Sequence, residues 1–125
     1  MKVNVLKTRA FYQSLSEDYL CGCAYCQSYR MQVKSAYPRI AAHLETLGVD
    51  VEMPFELVFF DSDENGMLDY IGCQYIVFGS CDDAFYAEID RVPFCKAEFH
   101  PSTEIGDEHF VLDFGPIKLK SPGGT

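Results

Sequence analysis

The 125-residue chain has no tryptophan, and it carries only ten lysines and arginines against nineteen aspartates and glutamates. Proteins grip phosphate backbones mainly through Lys and Arg, so a net charge of −9 argues against nucleic acid or an anionic membrane surface as a partner. An acidic balance of this size keeps a small protein soluble. Long apolar runs are also missing. No segment approaches the roughly 18 consecutive apolar residues of a membrane-spanning helix. The opening MKVNVLKTRAFYQS scatters Lys2, Lys7 and Arg9 through a stretch that lacks the apolar core of a signal peptide. A cytoplasmic location is therefore expected. There, six cysteines are expected to be free, metal-bound or catalytic, not a disulfide framework. G-x-S-x-G, the P-loop and G-x-G-x-x-G are absent as well, so no hydrolase elbow or nucleotide cradle can be read. Internal repeats and low-complexity segments are missing too.

Apolar residues make up 48 % of the chain and charged residues 23 %, with ten Phe and eight Tyr. That is an ordinary globular composition, long enough to build a core. One domain over residues 1–125 is expected, with an unstructured tail from about 120 to 125, where SPGGT closes the chain.

The hydrophobic period changes once along the chain. Val3, Val5 and Leu6 read as a first strand, and residues 10–22 as loop with at most a short helix. Cys26, Tyr29, Val33, Tyr37, Ile40, Leu44 and Leu47 then recur every three or four residues, which is one face of an α-helix. Pro38 interrupts that face, so two helices over 24–36 and 38–47, or one kinked helix, are expected, with Gly48 as the stop. After about residue 50 the period falls to two. Strands are expected over 55–60 and 67–79. Phe85, Ala87 and Ile89 mark another, then Cys95, Ala97 and Phe99, then Phe110, Leu112 and Phe114. Short turn-rich links imply antiparallel pairing. The expected fold is α+β, an N-terminal helix or helical hairpin packed on one face of a mainly antiparallel sheet of four to six strands.

The chemistry concentrates in DYLCGCAYCQSYR, residues 18–30. Cys21, Cys23 and Cys26 form C-x-C-x-x-C where the helical period begins. Structural zinc takes four tetrahedral ligands, commonly thiolates, and Cys23-x-x-Cys26 lets two thiolates of one turn face one ion. Cys21 can swing to the same side from an extended segment, and free N–H groups at a helix start favour the ionised ligand. A zinc site of Cys21, Cys23 and Cys26 is expected. Cys81, in the turn GSCDD, is expected to supply the fourth ligand, with Cys73, Cys95, His100 and His109 as other candidates. Cys73 and Cys95 fall inside strand patterns and are expected in the core. Such a metal would give a structural or protein-interaction role, with the partner and the oligomeric state left open.

A redox reading competes with this one. CAYC opening a helix that ends in LETLGVDVE, with a strand following, resembles the C-P-Y-C segment of glutaredoxins, and Val92-Pro93 resembles the Val-Pro beside their active site. The resemblance spans residues 20–60 and implies a thiol–disulfide oxidoreductase, with Cys23 attacking and Cys26 resolving. The chain departs from that family in three respects. Ala24 replaces Pro, Pro93 lies 70 positions after Cys23 (93 − 23), and no second helix separates the later strands. A further resemblance, to a group of small bacterial proteins without assigned activity, rests on Cys21, Cys23, Cys26, Tyr29 and the helix end Leu47-Gly48-Val49-Asp50. It implies no activity.

Two weaker signals read as turns. Asp61, Asp63, Asn65, Gly66 and Asp69 fit positions 1, 3, 5, 6 and 9 of a calcium loop, but Gly72 stands where the bidentate Glu belongs. A hairpin turn around Asn65-Gly66 is expected instead. HPSTEIGDEH, residues 100–109, gathers two histidines and three acids and reads as a solvated loop between strands. His43 is expected to face solvent.

Overall fold

The computed structural model describes residues 1–61 and 63–121. Helices α1 (Val5–Ser14), α2 (Ala24–Ala36) and α3 (Pro38–Thr46) precede all but the first of seven strands: β1 (Lys2–Val3), β2 (Glu56–Phe60), β3 (Met67–Ser80), β4 (Tyr86–Ile89), β5 (Val92–Lys96), β6 (His109–Phe114) and β7 (Ile117–Lys120). Every strand pair is antiparallel. The expected α+β architecture, helices packed on an antiparallel sheet, is what the chain adopts.

The long strand β3 is the spine. Its sequence MLDYIGCQYIVFGS is rich in β-branched and aromatic residues and free of proline. β1 and β2 pair along one edge of it, β6 and β7 along the other, and β5 and β4 continue outward from β6. From Gly72 to Phe78 every residue is buried, so both faces of this stretch are covered.

The register explains which residues form the core. Cys73 lies opposite Phe114, Tyr75 opposite Leu112 and Val77 opposite Phe110. These pair on one face with Tyr29, Val33, Ile40 and Leu44, the stripe read from the helical period. Three fully buried tyrosines fill the centre, and each hydroxyl finds a partner, as burial demands. Tyr29 and Tyr75 share a hydrogen bond at 2.5 Å, Tyr75 donates to the Val51 carbonyl at 2.6 Å, and Tyr70 donates to the Tyr25 carbonyl at 2.6 Å. Proline at the first position of α3 ends α2, because Tyr37 before it leaves the helical region (φ −131°, ψ 64°). Gly48 ends α3 as expected. Its φ is +88°, and a Cβ there would lie 2.6 Å from the Val5 carbonyl oxygen. Val49 N–H donates to Leu44 O and Gly48 N–H to Glu45 O, which closes the helix end.

Four expectations need correction. Val5 and Leu6 do not extend β1 but begin α1. Asn4 caps that helix by accepting the Lys7 N–H on Oδ1 at 3.1 Å. The sheet has seven strands, not four to six. One addition is β7, which includes Lys120 of the expected tail; Ile117 and Leu119 are buried while Lys118 and Lys120 point out. Ser121 donates its N–H to Gly66 O, and residues 122–125 of that tail lie outside the described residues. Within β5 the phase is opposite to the one read: Val92 and Phe94 face inward, Cys95 is exposed and Phe99 is 85 % exposed, while Ala97, just past the strand, is buried as read. His43 is half-buried, edge-on to Phe94 at 5.9 Å, and that burial lowers its pKa.

The helices also cover the free edges of the sheet. Between the ends of β1 and β2, the edge of β3 meets α1. Tyr12 donates its hydroxyl to Ile76 O at 2.7 Å, and Thr8 Oγ1 accepts the Phe78 N–H at 3.1 Å. Along the outer edge of β7, Gln32 of α2 accepts the Lys120 N–H and donates to its carbonyl. Ser28 donates to the same oxygen, and the Tyr37 hydroxyl exchanges hydrogen bonds with the Lys118 backbone.

Candidate metal centre

The segment before α2 is short and closely tethered. A single 3₁₀ turn over Glu17–Tyr19 delivers the chain to Cys21. Cys23 takes the cap position of α2, where its backbone is extended (φ −70°, ψ 158°), and its sulfur accepts the Cys26 N–H at 3.4 Å. Gln27 reaches back and donates to Gly22 O at 3.0 Å, which fixes the loop on its own helix. Tyr70 holds the Tyr25 carbonyl, and the rings of Tyr25 and Phe59 lie 5.0 Å apart. The cluster is thus attached to β2 and β3 although two of its three cysteines are exposed.

This geometry brings Cys21, Cys23 and Cys26 together, with their sulfurs all within 4.8 Å of one another and none in a disulfide. The three could hold a metal ion. Tetrahedral zinc with Zn–S near 2.3 Å requires sulfurs about 3.8 Å apart, so closing on an ion takes a contraction of roughly 1 Å at most. The electrostatics divide the pair on the helix turn. Partial burial opposes ionisation of Cys23, but hydrogen bonds from the Cys26 N–H, the Cys26 and Cys21 thiols and the Tyr25 N–H outweigh it, so its pKa falls below the ordinary thiol value. Burial raises Cys26 instead, and acceptance of its proton by Cys23 and Cys21 raises it further. Cys23 is therefore the first of the two to ionise.

Cys81 is not part of this group. It follows the end of β3, eight residues beyond Cys73 (81 − 73), about 26 Å along an extended strand. Its thiol donates to Asp82 O at 3.5 Å, and burial raises its pKa. Cys73 is fully buried beside Tyr29, and burial pushes its pKa up. Cys95 is exposed on β5. His100 lies against its own Pro101 carbonyl, and His109 bridges Thr103 Oγ1 and Asp107 O. Among the described residues, these two histidines belong to no group with metal-ligand spacing. The calcium-like segment is a β2–β3 hairpin turn. Gly66 has a φ of +75°, and Asp63 accepts the Asn65 and Met67 N–H groups at 2.8 and 3.0 Å.

Arg30 was not singled out by sequence reasoning. It sits one helical turn after Cys26, the i, i+4 spacing that places two side chains on one face. It donates from Nε to Glu52 O at 2.7 Å and pairs with Glu17 at 3.9 Å. Together with Cys21, Cys26 and Glu56 it lines a crevice of about 30 Å³, room for one or two waters. A larger cleft, about 340 Å³ between α1, α3 and residues 48–52, is lined by Arg9, Tyr12 and Lys34 but by no cysteine.

The glutaredoxin resemblance also implies a fold, and the fold differs. Among the described residues no helix lies between β2 and β7, and no strands are parallel. Val92-Pro93 is on β5, three strand spacings from Leu57 beside the cluster, on the order of 14 Å across the sheet. No helix among the described residues is long and apolar enough to cross a membrane. In comparisons with known proteins, the chain matches no family model, no curated protein and no solved structure.

Proposed function

We propose that this chain is a small cytoplasmic zinc protein, in which Cys21, Cys23 and Cys26 hold a structural ion that clamps the loop to the start of α2, and that the exposed centre serves protein interaction. The supporting observation is the convergence of three free thiols within 4.8 Å at a helix N-terminus. Three soft donors without a carboxylate or carbonyl select zinc or another thiophilic ion over calcium or magnesium. When bound, the ion supplies a cross-link between residues on the loop and the helix, and its binding free energy adds to folding. The chain's own residues supply the rest. Cys23 ionises before Cys26, Tyr70 and Gln27 fix the loop, and Arg30, held on Glu52 O, lines the crevice beside Cys21 and Cys26. Elemental analysis of protein purified without added metal tests this reading. About one zinc per chain is expected, and a metal-free protein indifferent to chelators would end it.

A second reading is favoured by one observation. Cys23 at the helix tip, with the half-buried Cys26 behind it, has the arrangement of an attacking and a resolving thiol. A thiol–disulfide oxidoreductase predicts no bound metal and a readily reduced Cys23–Cys26 disulfide, so the same sample decides between the two.

A further inference from the structure

The three cysteines leave a tetrahedral ion one ligand short. Cys81 is a long strand away, Cys73 is sealed beside Tyr29, and among the described residues no other Cys, His, Asp or Glu side chain joins the group. Glu56 borders the crevice, but its carboxylate accepts the Leu57 N–H at 3.0 Å and its oxygens do not come within 4.8 Å of all three sulfurs. The surroundings leave room for a visitor. Cys21 and Cys23 are exposed, and a Cβ placed on Gly22 between them would meet nothing within 4 Å. Behind them, Arg30 lines the crevice with Cys21 and Cys26.

We infer that the fourth coordination position of the Cys21–Cys23–Cys26 centre is open to a thiolate donated by another molecule. Softness sets the ligand class: an ion chosen by three thiolates accepts a fourth soft donor readily, and three- and four-sulfur shells are ordinary for zinc. Access points the same way: the crevice that Cys21 and Cys26 line with Arg30 has room for one or two waters beside the centre. The bond formed is metal to sulfur, the incoming thiol gives its proton to solvent, and no electron moves. Such a centre is a docking point, not a closed staple. This inference rests on the metal reading above.

Cobalt(II) titrated into the reduced 125-residue chain tests it, because its visible d–d bands report the fourth ligand directly. One equivalent of cobalt should bind, and a simple monothiol such as 2-mercaptoethanol should then shift those bands saturably, with a matching rise in sulfur-to-cobalt charge-transfer absorption. If the thiol comes from a cysteine of a second copy, the same shift should instead grow with protein concentration and accompany a doubling of mass in sedimentation. Either response supports the inference. Bands that ignore both added thiol and protein concentration would overturn it, as would a cobalt spectrum altered by Glu56→Gln or Cys81→Ser, since the fourth ligand would then come from the chain itself. A chain that binds no cobalt removes the metal reading and this inference together, and that result is distinct from an unresponsive spectrum.

Discussion

The six cysteines divide into two groups with opposite fates. Cys21, Cys23 and Cys26 fall within six positions, and a turn plus the first helical residues bring them to one point. Cys73 and Cys95 lie in strands and Cys81 just past one, where extended backbone separates what sequence places apart and alternation sends neighbours to opposite faces. One of the three is sealed in the core, one is half-buried after a strand end, and one is exposed. A tight turn concentrates ligands, whereas a strand disperses them.

On the proposed zinc reading, the largest effect that would break this contrast is loss of the metal. Cys23→Ser should then abolish binding and lower stability by several kcal/mol, since structural zinc contributes directly to folding. A chelator should lower the melting temperature of the wild type and leave that of the variant unchanged. In the sheet group, Cys81→Ser and Cys95→Ser should leave the metal content at the wild-type level in the same elemental assay. Cys73→Ser should cost about 1–3 kcal/mol through its buried hydroxyl, again with no metal lost.

Alkylation sharpens the comparison further. At neutral pH, iodoacetamide should modify Cys23 of the metal-free protein first, because its hydrogen bonds outweigh burial and favour the thiolate. Cys73 should resist until the protein unfolds, since burial raises its pKa and excludes the reagent. Zinc should protect the first group and leave Cys95 reactive, which peptide mass mapping would show. The reverse order of labelling would contradict the assignment of the two groups.

Tyr75→Phe probes the core behind Cys73. It removes the hydroxyl that donates to Val51 O and meets Tyr29, leaving two buried polar groups with one partner fewer, about 1–3 kcal/mol in denaturant unfolding. The smallest effect expected is at His43. Its folded-state pKa is lowered by burial against Phe94, so as pH falls below about 6.5 the unfolded chain takes up the proton first. Stability is therefore lost as the pH falls toward the lowered folded-state value, and none is lost above. Between pH 7 and pH 5, His43→Gln should lose less melting temperature than the wild type.

Much of this was legible in the sequence, because the relevant signals are local. The spacing from Cys26 to Leu47 gave the buried stripe of α2 and α3, and Pro38 and Gly48 gave their limits. C-x-C-x-x-C gave the three thiols that converge. The misses have physical causes. In α1 only Thr8 and Tyr12 are buried, since the helix rests on a strand edge and not on a broad face, so its apolar period is faint. The Asn4 cap was its readable sign. In β7 the alternation of Ile117 and Leu119 with Lys118 and Lys120 was present but lay in a stretch read as tail. PFCKAEF, which begins in β5 and runs past its end, offers apolar residues in both phases, and packing against Phe114 selects Phe94. The fourth ligand was placed on Cys81 because sequence gives residue type and strand length without showing that the far end of β3 lies away from the start of α2.

The edge contacts of α1 have a consequence for assembly. Tyr12 and Thr8 occupy backbone groups of Ile76 and Phe78 that would otherwise offer a strand-pairing template. The first helix therefore covers a strand edge that a second copy could otherwise read. A chain lacking residues 1–15 would present that stretch of β3 bare, in a segment of high β propensity, and a second copy could lay its own strand along it. Removal of this helix should make the chain grow by addition of identical copies, visible as a concentration-dependent increase in light scattering over that of the intact chain.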